Sequence, residues 1–196
     1  MRKHNFTLVE LLTVIAVIAI LAGLILAAVN GAVKKAEMTK AKAAIVTLHN
    51  AIKQYESTYG RLPIASGVGA APLTTAQYQW LIQLLQGDST IANYTTYNPK
   101  NIRFLEVQGN SPGVYQDPWD QNLHVAFDHD YNGQIDGSST GASIPGLGST
   151  IYYSVAIWSV GPDGESDTGN DKKNADNVYS FNTTWDKANN KVTITK

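Results

Sequence analysis

From Leu11 to Val29 the chain carries 19 residues without a charge, with Thr13 the only polar side chain among them. As an α-helix this run would extend roughly 28 Å, about the hydrocarbon thickness of a bilayer, so it has the length of a membrane span. A buried core helix or a removable secretory signal would also be apolar. A secretory signal, however, ends in a small-residue cleavage site soon after a shorter apolar core, whereas here the helical pattern continues past Val29. Arg2, Lys3 and His4 precede the run, which keeps the N-terminus cytoplasmic under the positive-inside tendency and places the rest outside. The 196 residues leave room for this segment and one modest domain.

Fifteen Lys and Arg against 16 Asp and Glu give a formal net charge of −1, which offers no basic field to a nucleic acid. Cysteine is absent. Disulfides, thiol catalysis and Cys-based metal sites are thereby excluded, and calcium becomes the natural staple for an exported domain. His4, His49, His124 and His129 have no metal-ligand spacing, and no Ser-His-Asp arrangement can be singled out, so catalysis is not indicated.

Glu10 does not suit a plain anchor. An ionised carboxylate inside an apolar segment is costly and marks a function unless it snorkels to the interface. Phe6-Thr7-Leu8-Val9-Glu10-Leu11-Leu12, followed by the apolar stretch Thr13 to Ala22, resembles the N-terminal signature of type IV pilins and of the pseudopilins of type II secretion. The resemblance implies cleavage by a prepilin peptidase between Asn5 and Phe6, N-methylation of Phe6, and storage among inner-membrane lipids. It further implies assembly into a homo-oligomeric helical filament, together with minor pseudopilins and an inner-membrane assembly platform. Glu10 would then neutralise the Phe6 amine of a neighbouring copy, an attraction that low dielectric strengthens and that would set register. Two positions depart from the family pattern: Asn5 replaces the usual Gly before the cleaved bond, and Ala27 stands where many members have a helix-disrupting Pro.

Past Val29, Lys34, Lys35, Glu37, Lys40, Lys42 and Lys53 alternate with apolar residues. Ile45, Leu48, Ile52, Tyr55 and Tyr59 recur at steps of three and four, which puts them on one helical face that packs against a domain. Gly60 and Pro63 stop the helix near Tyr59. The segment from Tyr55 to Pro63 also resembles the point where pseudopilins leave their stem helix. The fold expected is α+β, a pilin-like long N-terminal helix packed on a small antiparallel β-sheet with long loops. Its parts would be a leader at 1–5, a membrane-inserted and filament-core half at 6–29, an amphipathic half at 30–61 and a periplasmic domain at 62–196. Within that domain the sequence predicts a loop over 64–75, a helix over 77–85 and a polar turn over 93–97. Strands are expected near 102–107, 123–127, 151–158 and 192–194, with a loop over 137–149. Trp80, Trp119, Trp158 and Trp185 are expected to pack the core.

Asp117-Pro118-Trp119 before one strand and Ile157 to Gly164 after another resemble the C-terminal half of the major pseudopilin of type II secretion. That resemblance implies a calcium ion held by Asp163, Asp176 and the Val160 carbonyl, with Asn177 where a second acid is common. Independently, a flexible acidic loop can supply the six to eight hard oxygens that calcium takes, although Asp, Asn and Gly also make ordinary turns. A second candidate is the loop Asp128, Asp130, Asn132, Gln134, Asp136. Its oxygen-bearing side chains, with Gly133 at position six and Ile135 at position eight, resemble the start of an EF-hand loop. Ser139 stands where the bidentate Glu belongs, and an acidic hairpin turn explains the same residues.

The function expected is structural: a subunit of a type II secretion pseudopilus that assembles through its N-terminal helix and pushes folded proteins across the outer membrane. A type IV pilin for adhesion, motility or DNA uptake is the nearest alternative. A membrane-anchored periplasmic module binding sugar or protein is the alternative of another class.

Overall fold

The computed structural model describes residues 7–69, 72–107, 112–136, 144, 150–166, 172–189 and 191–195, without the side chains at 24, 26–28, 136, 184, 185 and 191. Helix α1 spans Leu8–Tyr59. The chain divides into two compact units, Met1–Thr39 and Lys40–Lys196.

From Leu8 on, the first unit is helix, and its large apolar side chains stand in the open among the described residues. Leu8 is 75% exposed and Ile20 65%, and Leu11, Leu12, Val14, Ile15, Val17, Ile18 and Ile25 are about half exposed or more. A surface this apolar marks an interaction or membrane site rather than a finished exterior. Among the described residues no helix is long and apolar enough to cross a membrane. The side chains at 24 and 26–28, within the expected span, lie outside that set.

In the second unit α1 becomes amphipathic in fact. Ala41, Ile45, Leu48, Ala51, Ile52 and Tyr55 are buried at the predicted three-four spacing. Polar side chains pin this half in place: Lys42 Nζ donates to the Tyr179 carbonyl (2.7 Å), Lys53 Nζ to Ser154 Oγ (2.5 Å) and Tyr55 Oη to the Tyr97 carbonyl (2.6 Å). Gly60 ends the helix in the left-handed region (φ 69°), where its N–H reaches the Glu56 carbonyl at 2.7 Å.

Helix α2, Thr75–Gln86, extends the predicted helix by two residues at the start and one at the end. Thr74 and Gln77 form a capping box, and Gly87 supplies the left-handed stop. Tyr78, Leu81, Ile82, Leu84 and Leu85 face inward. The polar stretch after it contains one short helix, α3, Tyr94–Tyr97.

Among the described residues seven short strands follow: β1 His124–Phe127, β2 Ile135–Asp136, β3 Thr150–Ile151, β4 Val155–Ser159, β5 Val178–Tyr179, β6 Thr183–Asp186 and β7 Lys191–Ile194. The central sheet has the order β1-β4-β5, antiparallel throughout, while β2-β3 and β6-β7 form separate two-stranded pairs. All five residues of β4 are buried. The outer edge of β1 is covered by chain, since Leu73 donates its N–H to the Val125 carbonyl at 2.8 Å.

Two strand expectations change. Residues 102–107 form no strand. Phe104 and Leu105 both donate N–H to the Leu85 carbonyl (2.8 and 2.9 Å), so the segment closes the end of α2 instead of pairing in a ladder. The run 151–158 is interrupted at 152–154: the Ser154 carbonyl still accepts from Asp128 N–H (3.0 Å) in register with the β1–β4 ladder, whereas Ile151 and Thr150 pair with Ile135 and Asp136, which leaves β3 and β4 in different sheets. Strands β2, β5 and β6 were not anticipated. The expected loop 137–149 lies outside the described residues except for Ile144, which is buried.

His124 stacks on the buried Trp158 ring, with centroids 5.3 Å apart and an angle of 14°. It lines a polar cleft of about 270 Å³ with Thr75, Tyr78, Gln116 and Asp120. Burial pushes its imidazole below the ordinary 6.5, and the Asp117 charge opposes this more weakly. The unfolded chain therefore takes up the proton first as pH falls. Stability that is complete above about pH 6.5 is lost as pH drops through the lower folded value. Burial of His49 contributes with the same sign. Accordingly, the melting temperature of the wild-type chain should fall more between pH 7 and 5 than that of His124→Phe, which keeps a stacked ring. Parallel pH profiles for the two would remove His124 from this account.

Candidate functional site

At the start of α1, Thr7 and Glu10 close on each other. Glu10 Oε2 accepts from the Thr7 N–H and from Thr7 Oγ1 (both 2.8 Å), while Thr7 Oγ1 accepts from the Glu10 N–H (3.3 Å). This is a capping box, which satisfies backbone donors that the first helical turn would otherwise leave orphaned. The signal for it in the sequence is the Thr-x-x-Glu spacing of Thr7 and Glu10, which the expectations above do not include. Asn5 and Phe6, the expected cleavage and methylation positions, lie outside the described residues.

The second site is built where β4 ends. Asp117 is buried, and its Oδ1 accepts from the N–H groups of Trp119 and Gln121 (3.0 and 2.9 Å), which folds 117–121 into a turn. Its Oδ2 takes the Ser159 hydroxyl at 2.5 Å, and Ser159 Oγ in turn accepts from the Gly161 N–H at 3.1 Å. The Asp-Pro-Trp element thus grips the end of β4 and sets the entry of the loop beyond it.

Gly161 sits in the left-handed region (φ 75°), and a Cβ there would lie 2.7 Å from the Asp176 backbone oxygen and 2.9 Å from its carboxyl carbon. Only a hydrogen fits between this turn and Asp176. Asp163, two residues on, accepts the Glu165 N–H at 2.9 Å. Burial pushes the Asp176 carboxyl above its ordinary value, and the charge of Asp163 pushes it further the same way. The fold therefore brings two expected ligands close enough to repel each other.

Asn177 is buried beside them in the chain. Its Nδ2 donates to Asn174 Oδ1 (3.1 Å) and Tyr179 Oη (3.2 Å), while Oδ1 has no hydrogen-bond partner among the described residues. Burial pushes the Tyr179 hydroxyl up to about 12, so it stays protonated. A buried acceptor without a donor is costly, and a cation is one way to satisfy it. Val160, also buried, connects β4 to Gly161. No group of three or more His, Asp or Glu side chains is gathered among the described residues. With two acids, a calcium ion here would draw its remaining ligands from neutral oxygens such as Asn177 Oδ1 and the Val160 carbonyl.

The EF-hand-like loop is organised differently. Asp128 is buried, with Oδ1 accepting from Asn132 N–H (3.0 Å) and Oδ2 from Gly133 N–H (2.9 Å). Asp130 Oδ2 accepts from Asn132 Nδ2 (2.9 Å), and Asn132 Oδ1 from Gln134 N–H (2.9 Å). Its oxygens thus serve its own backbone and amide. Asp136 pairs through its backbone with Thr150, and its side chain is outside the described set. Tyr131 Oη accepts from the Leu62 N–H at 2.8 Å, which docks this loop against the chain just past α1.

Comparison with known proteins returns two similarities. Residues 2–26 match a family described as the prokaryotic N-terminal methylation motif. Over 170 residues the chain is 27% identical to the type II secretion system core protein G of Aeromonas hydrophila, covering 87% of this chain and 90% of that protein. No solved structure gives a significant match.

Proposed function

We propose that the chain is a pilin-like protein and a structural subunit of a type II secretion pseudopilus, a reading supported by the N-terminal methylation motif at residues 2–26 and the similarity to a type II secretion core protein G. The observation that carries this reading is the first unit: a helix whose large apolar side chains stand exposed among the described residues. Such a surface is stable in a bilayer before assembly and against copies of itself afterwards. The domain would stand in the periplasm, and growth of the filament would push folded cargo through the outer membrane. Absence of cysteine favours this reading over a surface pilin, many of which close their C-terminal loop with a disulfide.

Calcium belongs to the same proposal. Asp163, Asp176, Asn177 and the Val160 carbonyl would hold it, and its charge would relieve the repulsion between the two carboxylates while occupying the orphaned Asn177 oxygen. Its role there is rigidity of the C-terminal region rather than chemistry.

The reading is tested by expressing the full chain with a prepilin peptidase and measuring intact mass and morphology. The expected product begins at a methylated Phe6 and forms filaments. A chain that keeps residues 1–5 and stays a membrane monomer would overturn it.

A further inference from the structure

A cation of helix α1 reaches β5, the strand that follows Asn177 in the chain. The Lys42 ammonium donates to the Tyr179 carbonyl, and the ring oxygen of the same Tyr179 accepts from Asn177 Nδ2. With its second hydrogen on Asn174 Oδ1, the Asn177 amide is fixed in rotation, and its unpartnered oxygen is thereby aimed in one direction. Strand β5, which carries Tyr179, is two residues long and lies at the edge of its sheet, so its ladder supplies few bonds of its own. A charge-assisted bond from outside the sheet is stronger than a neutral one and counts for more on a strand so short.

We propose that Lys42 is a positioning residue for calcium: it clamps Tyr179 and so holds Asn177 Oδ1 in place as a ligand, making the stem helix and the metal loop order together. This rests on the calcium reading above. Residues that orient metal ligands typically alter affinity by about tenfold or more when removed. A second lysine of the same helix provides the contrast. Lys53 bonds Ser154 Oγ and pairs with Glu56 at 2.7 Å, tying α1 to the domain without touching β5.

The test is calcium titration by calorimetry, with melts at zero and saturating calcium, on the detergent-solubilised full chain. Lys42→Met is expected to weaken calcium binding about tenfold, with Lys42→Arg recovering most of the loss. Lys53→Met is expected to lower the calcium-free melt and leave affinity unchanged. Tyr179→Phe, which keeps the backbone bond to Lys42 and removes the hydroxyl, should also weaken binding. Wild-type affinity in Lys42→Met or Tyr179→Phe overturns the positioning role, as does an equal loss in Lys42→Met and Lys53→Met. Should Lys42→Met fail to fold, Lys42→Gln, which keeps length and loses the charge-assisted bond, takes its place under the same criteria. A wild-type chain that binds no calcium overturns the metal reading itself, a different result from a bound ion indifferent to Lys42.

Discussion

Glu10→Gln will insert and fold as the wild type does, and will not form filaments. Glutamine serves the N3 position of a capping box as glutamate does, so the bonds with Thr7 that start α1 survive the change. What is lost is the negative charge. If Glu10 answers the amine of a neighbouring copy in an apolar filament core, removing it leaves that amine buried alone, at a cost of about 3–5 kcal/mol per contact. Repeated at every subunit, a penalty of that size prevents assembly. Glu10→Ala removes both cap and charge, and the cap alone is worth about 1 kcal/mol. Electron microscopy of sheared material and membrane fractionation read the two variants separately. Normal filaments from Glu10→Gln would reduce Glu10 to the capping role that the isolated chain displays.

The second large effect is expected from Gly161→Ala. The left-handed backbone there costs any L-residue about 1–2 kcal/mol. The added Cβ would also stand 2.7 Å from the Asp176 backbone oxygen, a group that cannot swing aside as a side-chain tip can. Gly164→Ala is the matched control, with a similar φ of 68° but its nearest neighbour, Gln121 Nε2, at 3.8 Å. At about 2–4 °C per kcal/mol for a chain of this size, Gly164→Ala should lower the melting temperature by a few degrees. Gly161→Ala should lower it further and abolish the difference between melts in calcium and in EDTA. That difference is expected in the wild type, and its absence there would remove calcium from the loop. Equal melts for the two glycine variants would show that the close approach to Asp176 is not tight.

Where local pattern and burial agreed, the fold was legible in the residues. The three-four spacing of Ile45, Leu48, Ile52 and Tyr55 and the stop at Gly60 gave the helix and its end, and the β-branched runs gave β1 and β4. Pattern failed where backbone groups had a better partner elsewhere. Residues 102–107 look like a strand because their side chains suit one, yet their N–H groups close the end of α2. Strand β5 is too short for any periodicity to register. The site divides in the same manner. Asp163 and Asp176 were named from a family likeness, and the fold brings them within repelling distance. The contact that sets them there, Gly161 against Asp176, and the orphaned Asn177 oxygen exist only in three dimensions.

The single bond from Leu73 to Val125 has a consequence for how copies of this chain can meet. An open strand invites another chain to add itself, at any register and without limit, which is the geometry of aggregation. Here that flank is already taken, and the ladders elsewhere are two to five residues long. Assembly of the kind proposed above would therefore not use the β1 flank, and the exposed apolar helix is the surface left to carry it.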